Sequence, residues 1–184
     1  GRELCTRTNG PDTAWGKDDD IAAGRARPDA ILLPKVESAV QVQQVEALLK
    51  ANNAPESAIW CMMETPKGIL QAQQIAAATP SIGALVMGTS DLVKDLNAQH
   101  TPMRLPVITA LGLCLLAARA YGLAILDGVY LDLDDAAGFE ASCRQGLELG
   151  FDGKTLIHPK TIDTAKGVAK ALGQELTDKT LFTG

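Results

Sequence analysis

Apolar and polar positions alternate in blocks along this chain, and the blocks read as strands and helices by turns. Uninterrupted apolar runs at Ala30 to Leu33 and Ala58 to Met63, with shorter ones at Ala84 to Met87 and Ala124 to Leu126, predict strands. Glu3 to Thr8 predicts a first strand, closed by the turn-rich Asn9-Gly10-Pro11-Asp12, and Lys154 to Ile157 a last one. Between them the spacing changes to that of helices. Asp18 to Ala26 predicts a short one. Ser38 can cap a helix through Ala51, with Val42, Val45, Leu48 and Leu49 as its apolar stripe. Further helices are predicted over Ile69 to Ala78, Pro106 to Gly122, Ala136 to Leu149 and Ile162 to Leu172.

Six strands, each followed by a helical stretch, argue a parallel sheet with covered faces. A doubly wound open sheet and a (β/α)8 barrel both fit. No GxGxxG follows the first strand, so a dinucleotide fold has no positive signal. The 184 residues suffice for one core and predict a single domain. A net charge of -5 with no Lys/Arg cluster argues against a nucleic-acid partner. No apolar run nears the roughly 18 residues of a spanning helix, which argues against the membrane. The four cysteines, Cys5, Cys61, Cys114 and Cys143, form no CxxC pair and read as buried free thiols of a reducing, cytoplasmic compartment.

Candidate chemistry gathers at strand ends. The run Trp60-Cys61-Met62-Met63 ends on Glu64, before the turn Thr65-Pro66-Lys67-Gly68; Gly83 to Asp91 closes a neighbouring strand on a second acid. Active sites of α/β folds lie at the C-terminal ends of their strands. Singly, each acid reads as a loop carboxylate or helix cap. As a pair, they suit Mg²⁺, which takes one or two carboxylates and leaves positions for substrate oxygens. Gly68 and Gly88 would let backbone approach a ligand. Arg7, in a strand pattern, reads as a fork for a carboxylate or enolate, or as half of an ion pair. Asp127 reads as a substrate-orienting acid or a turn residue, and His158 before Pro159 as the residue that fixes a strand exit. Asp132, Asp134 and Asp135, and the run Lys17-Asp18-Asp19-Asp20, read as solvated faces or helix starts.

Six ordered blocks then resemble a known family: Arg7-Thr8-Asn9, Leu33-Pro34-Lys35-Val36-Glu37-Ser38, Met63-Glu64-Thr65-Pro66-Lys67-Gly68, Gly88-Thr89-Ser90-Asp91-Leu92, Asp127-Gly128-Val129-Tyr130 and Gly150 through Pro159. Together they resemble the HpcH/HpaI aldolase/citrate lyase family, in its citrate lyase β-like and malyl-CoA lyase-like branch. The resemblance implies a (β/α)8 TIM barrel, of which this chain covers about six βα units, beginning at the third strand, with the family's C-terminal extension altered after about residue 165. It implies a Mg²⁺-dependent carbon–carbon lyase that cleaves a 3-hydroxyacyl-CoA thioester, such as malyl-CoA or a citryl thioester, to an acyl thioester and a 2-oxo acid. Glu64 and Asp91 would hold the metal. Arg7 would be catalytic and bind substrate, with Gly88, Thr89, Ser90 and Asp127 as further substrate contacts. A homo-oligomer, trimer or hexamer, is implied as well. A malyl-CoA thioesterase and a non-catalytic thioester-binding scaffold subunit are the alternatives.

Overall fold

Six parallel strands hydrogen-bond in the order in which the chain makes them, β1-β2-β3-β4-β5-β6, in the computed structural model of the protein. The structure describes residues 3–10 and 13–171. The strands are β1 (Cys5–Arg7), β2 (Ala30–Leu33), β3 (Ala58–Met63), β4 (Ile82–Met87), β5 (Ala124–Asp127) and β6 (Gly153–Lys154), and all pairings are parallel. The intervening helices are α1 (Gly16–Ala26), α2 (Ala39–Ala51), α3 (Pro66–Leu70), α4 (Ala72–Ala76), α5 (Thr89–Asp95), α6 (Ile108–Ala120), α7 (Ala136–Leu149) and α8 (Ile162–Ala171).

Chain-order pairing removes the doubly wound sheet from the two folds left open by the sequence. A doubly wound sheet reverses strand order at a switch point. Here there is no reversal, and right-handed crossovers that always step the same way lay every helix on one face. The core divides accordingly. Ile31, Leu33, Ile59, Cys61, Met63, Leu85 and Ile125 pack against residues of the helices, among them Val42, Leu49, Ile75 and Leu111. The alternate positions, Ala30, Leu32, Trp60, Met62, Ala84, Val86 and Leu126, pack only against one another and other strand residues. The result is a curled six-stranded half-barrel with a strand-lined concave face.

Local chemistry explains most boundaries. Ser38 caps α2 in a capping box: its Oγ accepts from Gln41 N–H, and Gln41 Oε1 accepts from Ser38 N–H at 3.1 Å. Val42, Val45 and Leu49 of the expected stripe are buried, and Leu48 is half-buried. At Gly83 the β3–β4 register slips, and a side chain there would crowd the Trp60 indole, with Nε1 at 3.1 Å. All four cysteines are free thiols; burial pushes Cys61 and Cys114 up to about 12.

Several expectations need correcting. The helix expected over Ile69 to Ala78 is two short ones, α3 and α4, that meet at Gln71. Asp91 does not close a strand: β4 stops at Met87, and Asp91 lies in the first turn of α5, which the sequence pattern did not reveal. The last strand is only Gly153–Lys154. Asp20 is buried rather than solvated. The turn at Pro11-Asp12 and the helix end at Leu172 lie outside the described residues. Among the described residues, no helix is long and apolar enough to cross a membrane.

Candidate active site

Strand pairing continues past the strand ends and ties the carboxyl-terminal loops together. Thr8 N–H donates to Leu32 O at 3.3 Å, Val36 N–H to Met62 O at 3.3 Å and Gly88 N–H to Met63 O at 3.0 Å. Glu64 emerges where these loops converge. Two residues past Met62, it falls on the concave side by strand alternation. Arg7 pairs in register with Leu32, so it belongs to the same side and stands exposed at the end of β1.

The turn after Glu64 is built by its own residues. Thr65 Oγ1 accepts from Gly68 N–H at 3.1 Å, and Pro66 begins α3 where no N–H is needed. A side chain at Gly68 would run into Val36 O, and one at Gly88 into Glu64 itself. Both glycines therefore make room for the chain's own groups, where the sequence suggested approach to a ligand.

Glu64 is 6% exposed and its Oε1 accepts from Lys35 N–H at 2.8 Å. Burial raises its pKa above the ordinary carboxylate value; the Lys35 N–H and the charges of Lys35 and Arg7 work against that rise, and the charge of Asp91 adds to it. Four of these groups thus feel one another electrostatically. Asp91 is half exposed, with Lys35 Nζ 3.4 Å from its Oδ2. Lys35 escaped the sequence reading as a site residue. It sits in a loop at φ 48°, and no sequence pattern marks that conformation for a lysine.

The donor set suits a hard cation. Glu64, pushed toward protonation by its burial and further by the charge of Asp91, and Asp91 itself offer only oxygen donors. Among the described residues no group of three or more His, Cys, Asp or Glu side chains converges as a metal cage. The pair matches the low protein ligand count of Mg²⁺.

Thr89 and Ser90 continue from Gly88 into α5. Thr89 is 5% exposed, and the Ser90 hydroxyl is buried without a partner. Asp127 lies elsewhere. It follows Ile125 on the helix-facing side, is 1% exposed, and has both oxygens occupied by Arg104 and Lys154. It holds the layers together and presents no surface to a substrate. His158 is exposed and its backbone is extended, as the His-Pro step suggested, but β6 ends earlier, at Lys154; its Nδ1 accepts from Lys160 N–H at 3.1 Å and caps the turn that follows. Asp135 caps α7 through Gly138 N–H at 2.9 Å.

The sequence matches the family HpcH/HpaI aldolase/citrate lyase over residues 1–159. The chain belongs to the HpcH/HpaI aldolase/citrate lyase family. Within it, the chain is 49% identical over 167 residues to a (3S)-malyl-CoA thioesterase of Cereibacter sphaeroides, covering 91% of this chain and 56% of that protein. It is 33% identical to the citrate lyase subunit beta of Escherichia coli K12, covering 88% and 55%. A solved structure of the citrate lyase beta subunit from M. tuberculosis, complexed with oxaloacetate and magnesium, superposes with a TM-score of 0.74 at 30% identity, covering 89% of this chain and 71% of that one. The chain thus spans little more than half the length of these curated family relatives.

Proposed function

We propose that the six units form an arc of a (β/α)8 barrel whose mouth processes a malyl-CoA-type thioester with Mg²⁺, by reversible carbon–carbon cleavage. One observation carries the reading: Glu64 and Asp91, from adjacent βα loops, stand as a pair of carboxylates with the charge of Arg7 acting across the mouth. A bound magnesium relative from M. tuberculosis supports the metal's identity.

Glu64 and Asp91 would hold a divalent cation, which would supply Lewis acidity to a keto oxygen. The remaining steps belong to the chain. Lys35 N–H fixes the direction of the Glu64 carboxylate, and the missing side chain of Gly88 leaves that carboxylate its place. Cleavage breaks the bond between the thioester's α carbon and the hydroxyl-bearing carbon. Its electron pair passes to the thioester as an enolate, which takes up a proton from water, and the hydroxyl carbon becomes the carbonyl of the 2-oxo acid as its hydroxyl proton passes to water. Arg7 offsets the enolate charge as it develops. Gly88, Thr89 and Ser90 border the bound acid. Asp127 acts as a positioning residue.

The 49% identical thioesterase favours a second reading, in which the same mouth directs water to the thioester carbonyl and the thiolate leaves. Malyl-CoA assayed with this protein separates the two. Glyoxylate with acetyl-CoA indicates the lyase, and free CoA with malate the thioesterase. Calorimetry tests the site itself: Glu64→Gln and Asp91→Asn should each abolish Mg²⁺ binding, and retained affinity in both would refute it. A folded protein with Mg²⁺ bound but neither product would leave the scaffold reading. A trimer or hexamer, read by light scattering, belongs to the same proposal.

A further inference from the structure

The buried ion cluster beneath β5 is unbalanced. Arg104 Nη1 lies 2.6 Å from Asp127 Oδ1, and Lys154 Nζ lies 2.9 Å from Asp127 Oδ2. The three side chains are 13%, 7% and 1% exposed in the order Arg104, Lys154, Asp127, so two cations share one carboxylate inside the fold. Their other partners are neutral: Ser142 Oγ accepts from Lys154 at 3.0 Å, and Gln145 Oε1 from Arg104 Nε at 2.6 Å. The nearby Cys143 thiol, which burial pushes up to about 11, brings no negative charge. Glu140 is exposed and paired with Arg144 at 3.2 Å. A cation left over in a low-dielectric interior is costly and calls for an anion. Arg104 also has a donor to spare, since its buried Nη2 has no hydrogen-bond partner.

Arg104 stands in the wall of a pocket of about 260 Å³, between the α5–α6 connection and the loop after β5. Thr101 lines the same pocket, and its Oγ1 is likewise buried without a partner. Much of the remaining wall is apolar, with Val93, Pro106, Val107 and Val129. The one acid in the lining, Asp132, is exposed and uses Oδ1 to accept the N–H groups of Asp134 and Asp135 at 3.0 and 3.2 Å.

We infer that this pocket binds a short-chain monocarboxylate, whose oxyanion is held by Arg104 and Thr101 while its hydrocarbon body lies against the valines and Pro106. The oxyanion restores charge balance to the cluster. The apolar wall selects a carboxylate that carries a carbon chain over inorganic phosphate. The pocket is at the small end of ligand sites, which suits an acid of a few carbons. The inference uses neither Glu64, Asp91 nor Arg7; Thr89, which borders the bound acid in the proposed function, also lines this pocket, and the Glu64→Gln variant tells the two sites apart.

Isothermal titration of the full chain with butyrate, butanol and inorganic phosphate tests it. Saturable one-to-one binding of butyrate is expected, with butanol and phosphate at least tenfold weaker. Thr101→Val should weaken butyrate about fivefold, the loss of one hydrogen bond. Leu131→Glu, a lining position 53% exposed, should abolish binding without altering the circular dichroism spectrum. Glu64→Gln should leave it unchanged. Absence of saturable heat, equal affinity for phosphate, or unchanged affinity in both lining variants would overturn the inference. So would loss of butyrate binding in Glu64→Gln, which would put the ligand at the metal mouth.

Discussion

The peptide N–H of Lys35 donates to Glu64 Oε1 across 2.8 Å, from a backbone held in the left-handed region at φ 48°. A side chain in that conformation carries strain of about 1 kcal/mol. The strained loop aims one carboxylate and, through Nζ, neutralises part of another. Lys35→Gly should keep the hydrogen bond, relieve the strain and remove the ammonium from Asp91. Denaturant unfolding should show stability unchanged or higher by up to about 1 kcal/mol. Calorimetry should show Mg²⁺ bound two- to fivefold more tightly; weaker binding would show that the ammonium does not compete with the metal.

Gly88 gives the sharper test of geometry. A methyl group there would occupy the space of the Glu64 side chain. Gly88→Ala should turn the carboxylate away and lower Mg²⁺ affinity at least tenfold, while its far-ultraviolet circular dichroism stays that of the parent. Full retention of affinity would show that the Glu64 position seen here is not the metal-binding one.

The strands β2 and β3 and the helix α7 were legible to the residue, because long apolar runs or a complete amphipathic period mark them. Short elements were not. Seven residues starting Thr-Ser-Asp hide α5, and Gln71 gives no warning that it divides α3 from α4. Glu64 stands out as a candidate in the sequence because an acid after an unbroken apolar run is conspicuous. Lys35 and Arg104 were invisible, since each gains its role from partners 29 and 23 residues away. The two readings of Asp127 stayed open in the sequence because alternation along four strand residues cannot say which face is concave.

Asp127 is the most consequential single charge for stability. Asp127→Asn would leave Arg104 and Lys154 buried against a neutral amide. Removing one partner of a buried pair costs roughly 3–5 kcal/mol, so the melting temperature should fall sharply. Asp134→Asn, which breaks an ion pair to Lys160 at a 98% exposed carboxylate, should leave the melting temperature unchanged within error. Equal effects from the two would mean that the cluster beneath β5 is solvated.

Acid sensitivity should trace in part to Glu46. Its carboxylate accepts from Ser81 Oγ at 2.6 Å and Thr79 Oγ1 at 2.5 Å, with Lys50 Nζ at 3.1 Å, and these hold its pKa at about 2, below the ordinary 4.5. Because the folded value is the lower one, the stabilisation is complete above 4.5 and drains away as pH falls toward about 2. Glu46→Gln should cost about 1 kcal/mol at pH 7, allowing for solvent screening, and only a small fraction of that at pH 2. A pH-independent difference in denaturant midpoint would assign the loss to hydrogen bonding alone.

Because each strand pairs only with the units made just before and just after it, every sheet contact joins segments close in sequence. Loop-closure entropy is then met in small steps, and the sheet can grow in the direction of synthesis without waiting for a distant partner. Destabilising one unit should consequently fray the sheet from its nearer edge, and hydrogen exchange would register this as a gradient of protection across the strands.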